Sequence, residues 1–74
     1  MRSAIDIRKL RCSRGYFSQN DITKALCDAG CKMTRQGYTN RESGHTTFTA
    51  KEIMALSKIL EISLEDAFDY FCEE

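Results

Sequence analysis

The sequence predicts an all-α domain of five short helices. Three observations carry that expectation. An apolar residue followed by Ser or Thr, with another apolar residue four positions after the hydroxyl, recurs along the chain. Glycines stand where three of the resulting segments run out. Between those signals the apolar residues are spaced by three or four, the period of a helix with one buried face. No proline interrupts the chain, and no stretch alternates long enough to demand a strand.

Each element follows from a start, a face and a stop. A hydroxyl at the start can accept a hydrogen bond from a free first-turn N–H. A glycine at the stop suits the left-handed cap position. Ser3 opens a helix over about Ala4–Arg14, with Ile7 and Leu10 inward and Gly15 ending it. Ser18 opens a second over about Gln19–Ala29, with Ile22, Ala25, Leu26 and Ala29 on one face and Gly30 ending it. Thr34 opens a third over about Arg35–Ser43, anchored by Tyr38 and stopped at Gly44. Thr49 opens a fourth over about Ala50–Glu61, with Glu52 completing a capping box and Ile53, Leu56 and Leu60 inward. Ser63 opens the last, Leu64–Phe71, with Leu64, Ala67, Phe68 and Phe71 on one face. The pairs Phe17–Ile22, Met33–Tyr38, Phe48–Ile53 and Ile62–Ala67 can staple the helix entries. Thr46–Phe48 reads as loop.

Seventy-four residues make a single domain, 1–74, with a helix-turn-helix over about 18–44 and C-terminal helices over about 50–71. Folding a chain this short buries only about 60% of its unfolded surface, which leaves little room for a substrate cleft. There is no apolar run of membrane-spanning length, so no membrane partner is expected. The first dozen residues lack the apolar core of a signal peptide, and a cytoplasmic location is expected. Cys12, Cys27, Cys31 and Cys72 then read as reduced thiols acting as small buried or half-buried hydrophobes. With His45 the only histidine, their spacing does not suit zinc. No metal, no cofactor and no enzyme activity are expected: no phosphate-cradling loop and no nucleophile–base set can be assembled.

Eleven cations balance eleven acids, but not evenly along the chain. Residues 1–44 hold nine Lys/Arg against four acids, and residues 45–74 hold two against seven. This split predicts a basic face toward a partner and an acidic face away from it.

The third helix shows what that partner is. A helix in the major groove needs an inner anchor and an outer face of amides and guanidinium groups. Tyr38 is the anchor. Arg35, Gln36, Thr39 and Asn40 fall on the outer face as candidate base readers. A merely solvated helix usually spends its surface on Glu and Lys, whereas here Glu42 comes only at the end. Gly37 permits close approach at a helix-propensity cost of about 1 kcal/mol. Gln19, at the start of the second helix, can clamp a phosphate or buttress the third helix. Lys24, Lys32, Thr34 and Arg41 are further phosphate candidates.

These residues resemble the lambda-repressor-like helix-turn-helix domains of Cro and XRE-type regulators. The resemblance runs through Arg8-Lys9-Leu10-Arg11, Arg14-Gly15, Ser18-Gln19 and Asp21-Ile22. It continues through Tyr38-Thr39-Asn40-Arg41-Glu42-Ser43-Gly44 and Phe48-Thr49-Ala50-Lys51-Glu52-Ile53. It ends on Leu60 and Ile62-Ser63-Leu64-Glu65-Asp66-Ala67-Phe68, a pattern similar to small phage and bacterial regulators. It implies base reading by Arg35, Gln36 and Asn40 and a phosphate clamp at Gln19. The chain departs from the family between Leu26 and Tyr38, which stand twelve apart where the family has seven. A longer second helix and a turn at Gly30–Met33 are expected.

The expected function is that of a sequence-specific regulator, repressor or Cro-like. It would bind double-stranded DNA at a palindromic operator as a homodimer, formed in solution or only on DNA. Tyr70 and Cys72, off the apolar face of the last helix, are the candidate dimer contacts. The alternative is a modulator or antirepressor that uses the same fold to grip another regulator.

Overall fold

The computed structural model describes residues 3–72. It has five helices, α1 (Ala4–Ser13), α2 (Gln19–Asp28), α3 (Arg35–Glu42), α4 (Ala50–Ile59) and α5 (Leu64–Phe71), and no strand among the described residues. All five expected caps form. Ser3 accepts from the Asp6 N–H at 3.3 Å, Ser18 from Asp21 at 3.1 Å and Thr34 from Gly37 at 3.0 Å. Thr49 accepts from Glu52 at 3.2 Å, and Ser63 from Asp66 at 3.1 Å. Glu52 returns the bond to the Thr49 N–H at 2.8 Å, so the capping box is complete.

Gly15, Gly30 and Gly44 all have positive φ, as the stop signals require. α4 has no such glycine. Its exit is made by Glu61 at φ 55°, while the Ile62 and Glu61 N–H groups reach back to the Ser57 and Lys58 carbonyls. That is the double bond of a Schellman cap, made here by a residue with a Cβ.

α4 packs chiefly on α5 and also on α2, α2 packs on α3, and α1 touches both α3 and α5. Ile7, Ile22, Leu26, Ile53, Leu56, Leu60 and Ala67 fill the centre. Phe48, from the loop after α3, wedges into it. Its ring stands edge-on to Tyr38 at 6.2 Å and to Phe71 at 5.0 Å. This chain of rings ties α3 to the C-terminal helices and fixes the height at which α3 sits.

Three local expectations change. Phe17 is 75% exposed, so no staple to Ile22 forms, although the Ser18 cap does. Leu64 is 46% exposed, while Ala67 and Phe71 carry the inward face of α5. Cys31 is buried and Cys12 and Cys72 half-buried, but Cys27 is exposed, its thiol 3.4 Å from the Met33 carbonyl oxygen.

Candidate nucleic-acid interface

Between α2 and α3 lie residues 29–34. Ala29 caps α2, Gly30 reverses the chain, and Thr34 caps α3, which brackets the expected turn. The link does not hang free. Cys31 is buried, its sulfur 3.8 Å from the Lys51 carbonyl oxygen, and Met33 packs on the core. The longer connection is therefore packed against α4 and the core.

α3 is secured by two anchors, Tyr38 and Glu42. Glu42 is 5% exposed and turned inward. Its Oε1 accepts from Arg11 Nε at 3.0 Å and from the Tyr38 hydroxyl at 3.1 Å. Its Oε2 accepts from Gln19 Nε2 at 2.7 Å. Arg11, itself buried, also donates through Nη1 to the Tyr16 carbonyl at 2.6 Å. One carboxylate thus ties α1 and the start of α2 to α3. A buried pair of this kind adds little net stability over an apolar pair, but leaving either partner alone is strongly unfavourable. Burial pushes the Tyr38 phenol well above its ordinary value of 10.0, and the Glu42 charge and hydrogen bond push it further, against a smaller opposing effect of Arg11. The phenol therefore stays protonated and keeps donating.

Gln19 completes the network. Its Oε1 accepts from the Thr39 hydroxyl at 2.6 Å while its Nε2 faces Glu42. The reverse amide orientation would set carbonyl against carboxylate, so Glu42 fixes which way the Gln19 amide lies. The Thr39 hydroxyl has one proton. Spending it on Gln19 means the Arg35 carbonyl, 2.9 Å away, cannot receive it too. Both side-chain bonds of Gln19 go to residues of α3. Among the described residues, the Nε2 group donates to Glu42 alone, through one of its two N–H bonds.

Arg35, Thr39, Gln36 and Asn40 share an arc of about 140° at 100° per residue. Arg35 and Gln36 are exposed, and Thr39 and Asn40 half-buried. Gln36 Nε2 donates to Asn40 Oδ1 at 3.0 Å. Thr34, Lys24 and Lys32 are exposed. α3 has no acid in its first turn, whereas each of the other four helices has at least one. Its positive end is thus left uncompensated by the protein.

Arg41 has a different place from the one expected. Its Nε binds Glu52 Oε1 at 3.1 Å and its Nη1 the Gly37 carbonyl at 2.8 Å. It clasps α3 to the start of α4 instead of extending toward a phosphate. Gly37 makes room for that clasp: a Cβ there would sit 3.2 Å from Arg41 Nη1 and 3.3 Å from Thr34 Oγ1. The close approach that Gly37 allows is within the protein.

The sequence puts Glu42 at the end of the outer face of the third helix and gives no sign of its bond to Arg11. The available signal for the burial of Glu42 was position, since Glu42 follows Tyr38 by four and continues its inward stripe. Sequence reasoning also missed an open groove of about 660 Å³ among the starts of α1, α2 and α3, lined by Ile5, Arg8, Phe17, Gln19, Asn20 and Arg35 among others. Two of those residues, Ile5 and Phe17, are among the most exposed large apolar side chains described.

Two capped helices, joined by a packed link and with the second held outward by a buried polar network, define a helix-turn-helix domain. The chain belongs to the lambda-repressor-like helix-turn-helix family, whose profile, described as helix-turn-helix, matches residues 7–66. That membership suggests a DNA-binding regulator. Comparisons with curated proteins and with solved structures give no match. No helix among the described residues is long and apolar enough to cross a membrane.

Proposed function

We propose that this chain is a sequence-specific transcriptional regulator of the Cro or repressor kind, acting on DNA in the cytoplasm and carrying no enzymatic activity. The observation that supports it best is the outer face of α3: Arg35, Gln36, Thr39 and Asn40 in one arc on a helix whose other side is locked by Tyr38 and Glu42. A reading helix must be held rigidly, because base-edge hydrogen bonds tolerate little misplacement. Arg35 is suited to guanine O6 and N7, and Gln36 and Asn40 to adenine. Gln19, with its spare N–H, Lys24, Lys32 and Thr34 would position the helix on phosphates.

A single such module reads few base pairs, so a homodimer on a palindromic operator is part of the proposal. Half-buried Tyr70 and Cys72 and exposed Leu64 are its candidate contacts on the C-terminal side. Gel-shift titration with the chain's own promoter region at two salt concentrations tests the reading. Retarded, salt-sensitive complexes support it. Equal, weak binding to every duplex would leave the second reading, a modulator that grips another regulator. The exposed Phe17 and Ile5 beside the groove favour that alternative.

A further inference from the structure

Gln36 and Asn40 stand four residues apart on α3, and the Gln36 amide N–H donates to the Asn40 amide oxygen at 3.0 Å. Gln36 Oε1 and Asn40 Nδ2 are left over. Gln36 is exposed and Asn40 half-buried, so both side chains can be reached by an incoming ligand. The bond decides what the two amides can offer together. In the arrangement seen, the atoms outside the bond are an acceptor oxygen, Gln36 Oε1, and the Asn40 NH2 group, with one further N–H on Gln36 Nε2. If both amides turn over, the bond re-forms in the opposite sense, and Asn40 Oδ1 and the Gln36 NH2 group then lie outside it. In either sense the bond leaves one amide oxygen beside one free NH2 group, and placing donors at both points requires that oxygen to be turned away.

Adenine shows an acceptor, N7, next to a donor, N6, in the major groove. Guanine shows two acceptors, N7 and O6. We infer that Gln36 and Asn40 act as one reading unit, taking a single adenine through N7 and N6 in preference to guanine at that position. This rests on the proposed role of α3 as the reader. Asn40 Nδ2 donates to N7, and Gln36 Oε1 accepts from N6. Guanine there sets the Gln36 carbonyl against O6. Two independent amides would instead each claim an adenine of their own, at separate positions. In open water an amide pair at this spacing holds weakly. Between protein and base edge, breaking it leaves desolvated amide groups unpaired, and the bond persists.

The test is binding-site selection with the whole chain on a pool of duplexes carrying a randomised core. Wild type, Gln36→Ala, Asn40→Ala and the double variant are compared. Alanine favours the helix, and melting curves of all four proteins check that folding is kept. The inference expects both single variants to lose an adenine-over-guanine preference of roughly tenfold at the same position. It expects the double variant to lose scarcely more than either single. Losses at two different positions, adding in the double variant, would overturn the joined unit and leave α3 as reader. No change at any position, or no selection by the wild type, would overturn both the unit and the reading it rests on.

Discussion

Removing Glu42 tests how α3 is held. Glu42→Ala takes the acceptor from Arg11, Tyr38 and Gln19 together, in a site where the Arg11 and Glu42 side chains are only 4% and 7% exposed. Breaking a buried ion pair from one side costs about 3–5 kcal/mol. A domain of this size has roughly 4–11 kcal/mol in all. At about 4–8 °C per kcal/mol, the melting temperature should fall by roughly 12–40 °C. Urea unfolding followed by circular dichroism measures the loss directly. Glu42→Gln should cost less, because the network can reverse. The new amide can donate to Gln19 Oε1, the Gln19 amide turns over to donate to Thr39, and the Thr39 proton moves to the Arg35 carbonyl already 2.9 Å away. Arg11 then loses its counter-charge but keeps the Tyr16 carbonyl. Arg11→Met combined with Glu42→Leu should recover part of the loss seen in Glu42→Ala, since no buried charge is left alone. A Glu42→Ala protein within about 1 kcal/mol of wild type would refute the hub.

Other consequences are as direct. Stability should decline as pH rises past about 10, because the unfolded Tyr38 loses a proton that the folded one, with its raised pKa, keeps. Below that pH the contribution is fully present, and Tyr38→Phe should remove this share of the decline in pH-dependent unfolding curves. Glu61→Gly should raise stability by about 0.5–1 kcal/mol, since Glu61 sits at φ 55° where a Cβ is unfavourable; an unchanged or lower melting temperature counts against it. DNA affinity should fall with salt on a log–log slope of about −4 to −5 for a dimer, two to three phosphates per protomer. Arg11 and Arg41 cannot be counted among those contacts as the structure stands, because both are bound to carboxylates. A flat salt response would favour a protein partner.

The helices were legible in the sequence because their signals are local. A cap three residues from its N–H, a glycine at a left-handed exit and an apolar stripe need no knowledge of the rest of the chain. α5 is found at its expected bounds, and the other four helices end within two residues of theirs. What stayed hidden depends on distant partners. Arg11 and Glu42 are 31 residues apart, and nothing near either one announces the pair. Arg41 looked free until α4 brought Glu52 to it. Phe17 has a stapling partner in sequence, but the chain entering α2 leaves its ring outside. The outer face of α3 was legible as a set of residue types. The coupling of Gln36 to Asn40, and of Thr39 to Gln19, was not.

The central claim is that α3 reads sequence. Fluorescence anisotropy on a duplex chosen by selection and on a scrambled duplex, with wild type and with Arg35, Gln36 and Asn40 all changed to Ala, tests it most directly. The triple variant should fold, bind the scrambled duplex within a few-fold of wild type, and bind the selected duplex no more tightly than the scrambled one. A triple variant that still prefers the selected duplex as strongly as wild type would contradict it.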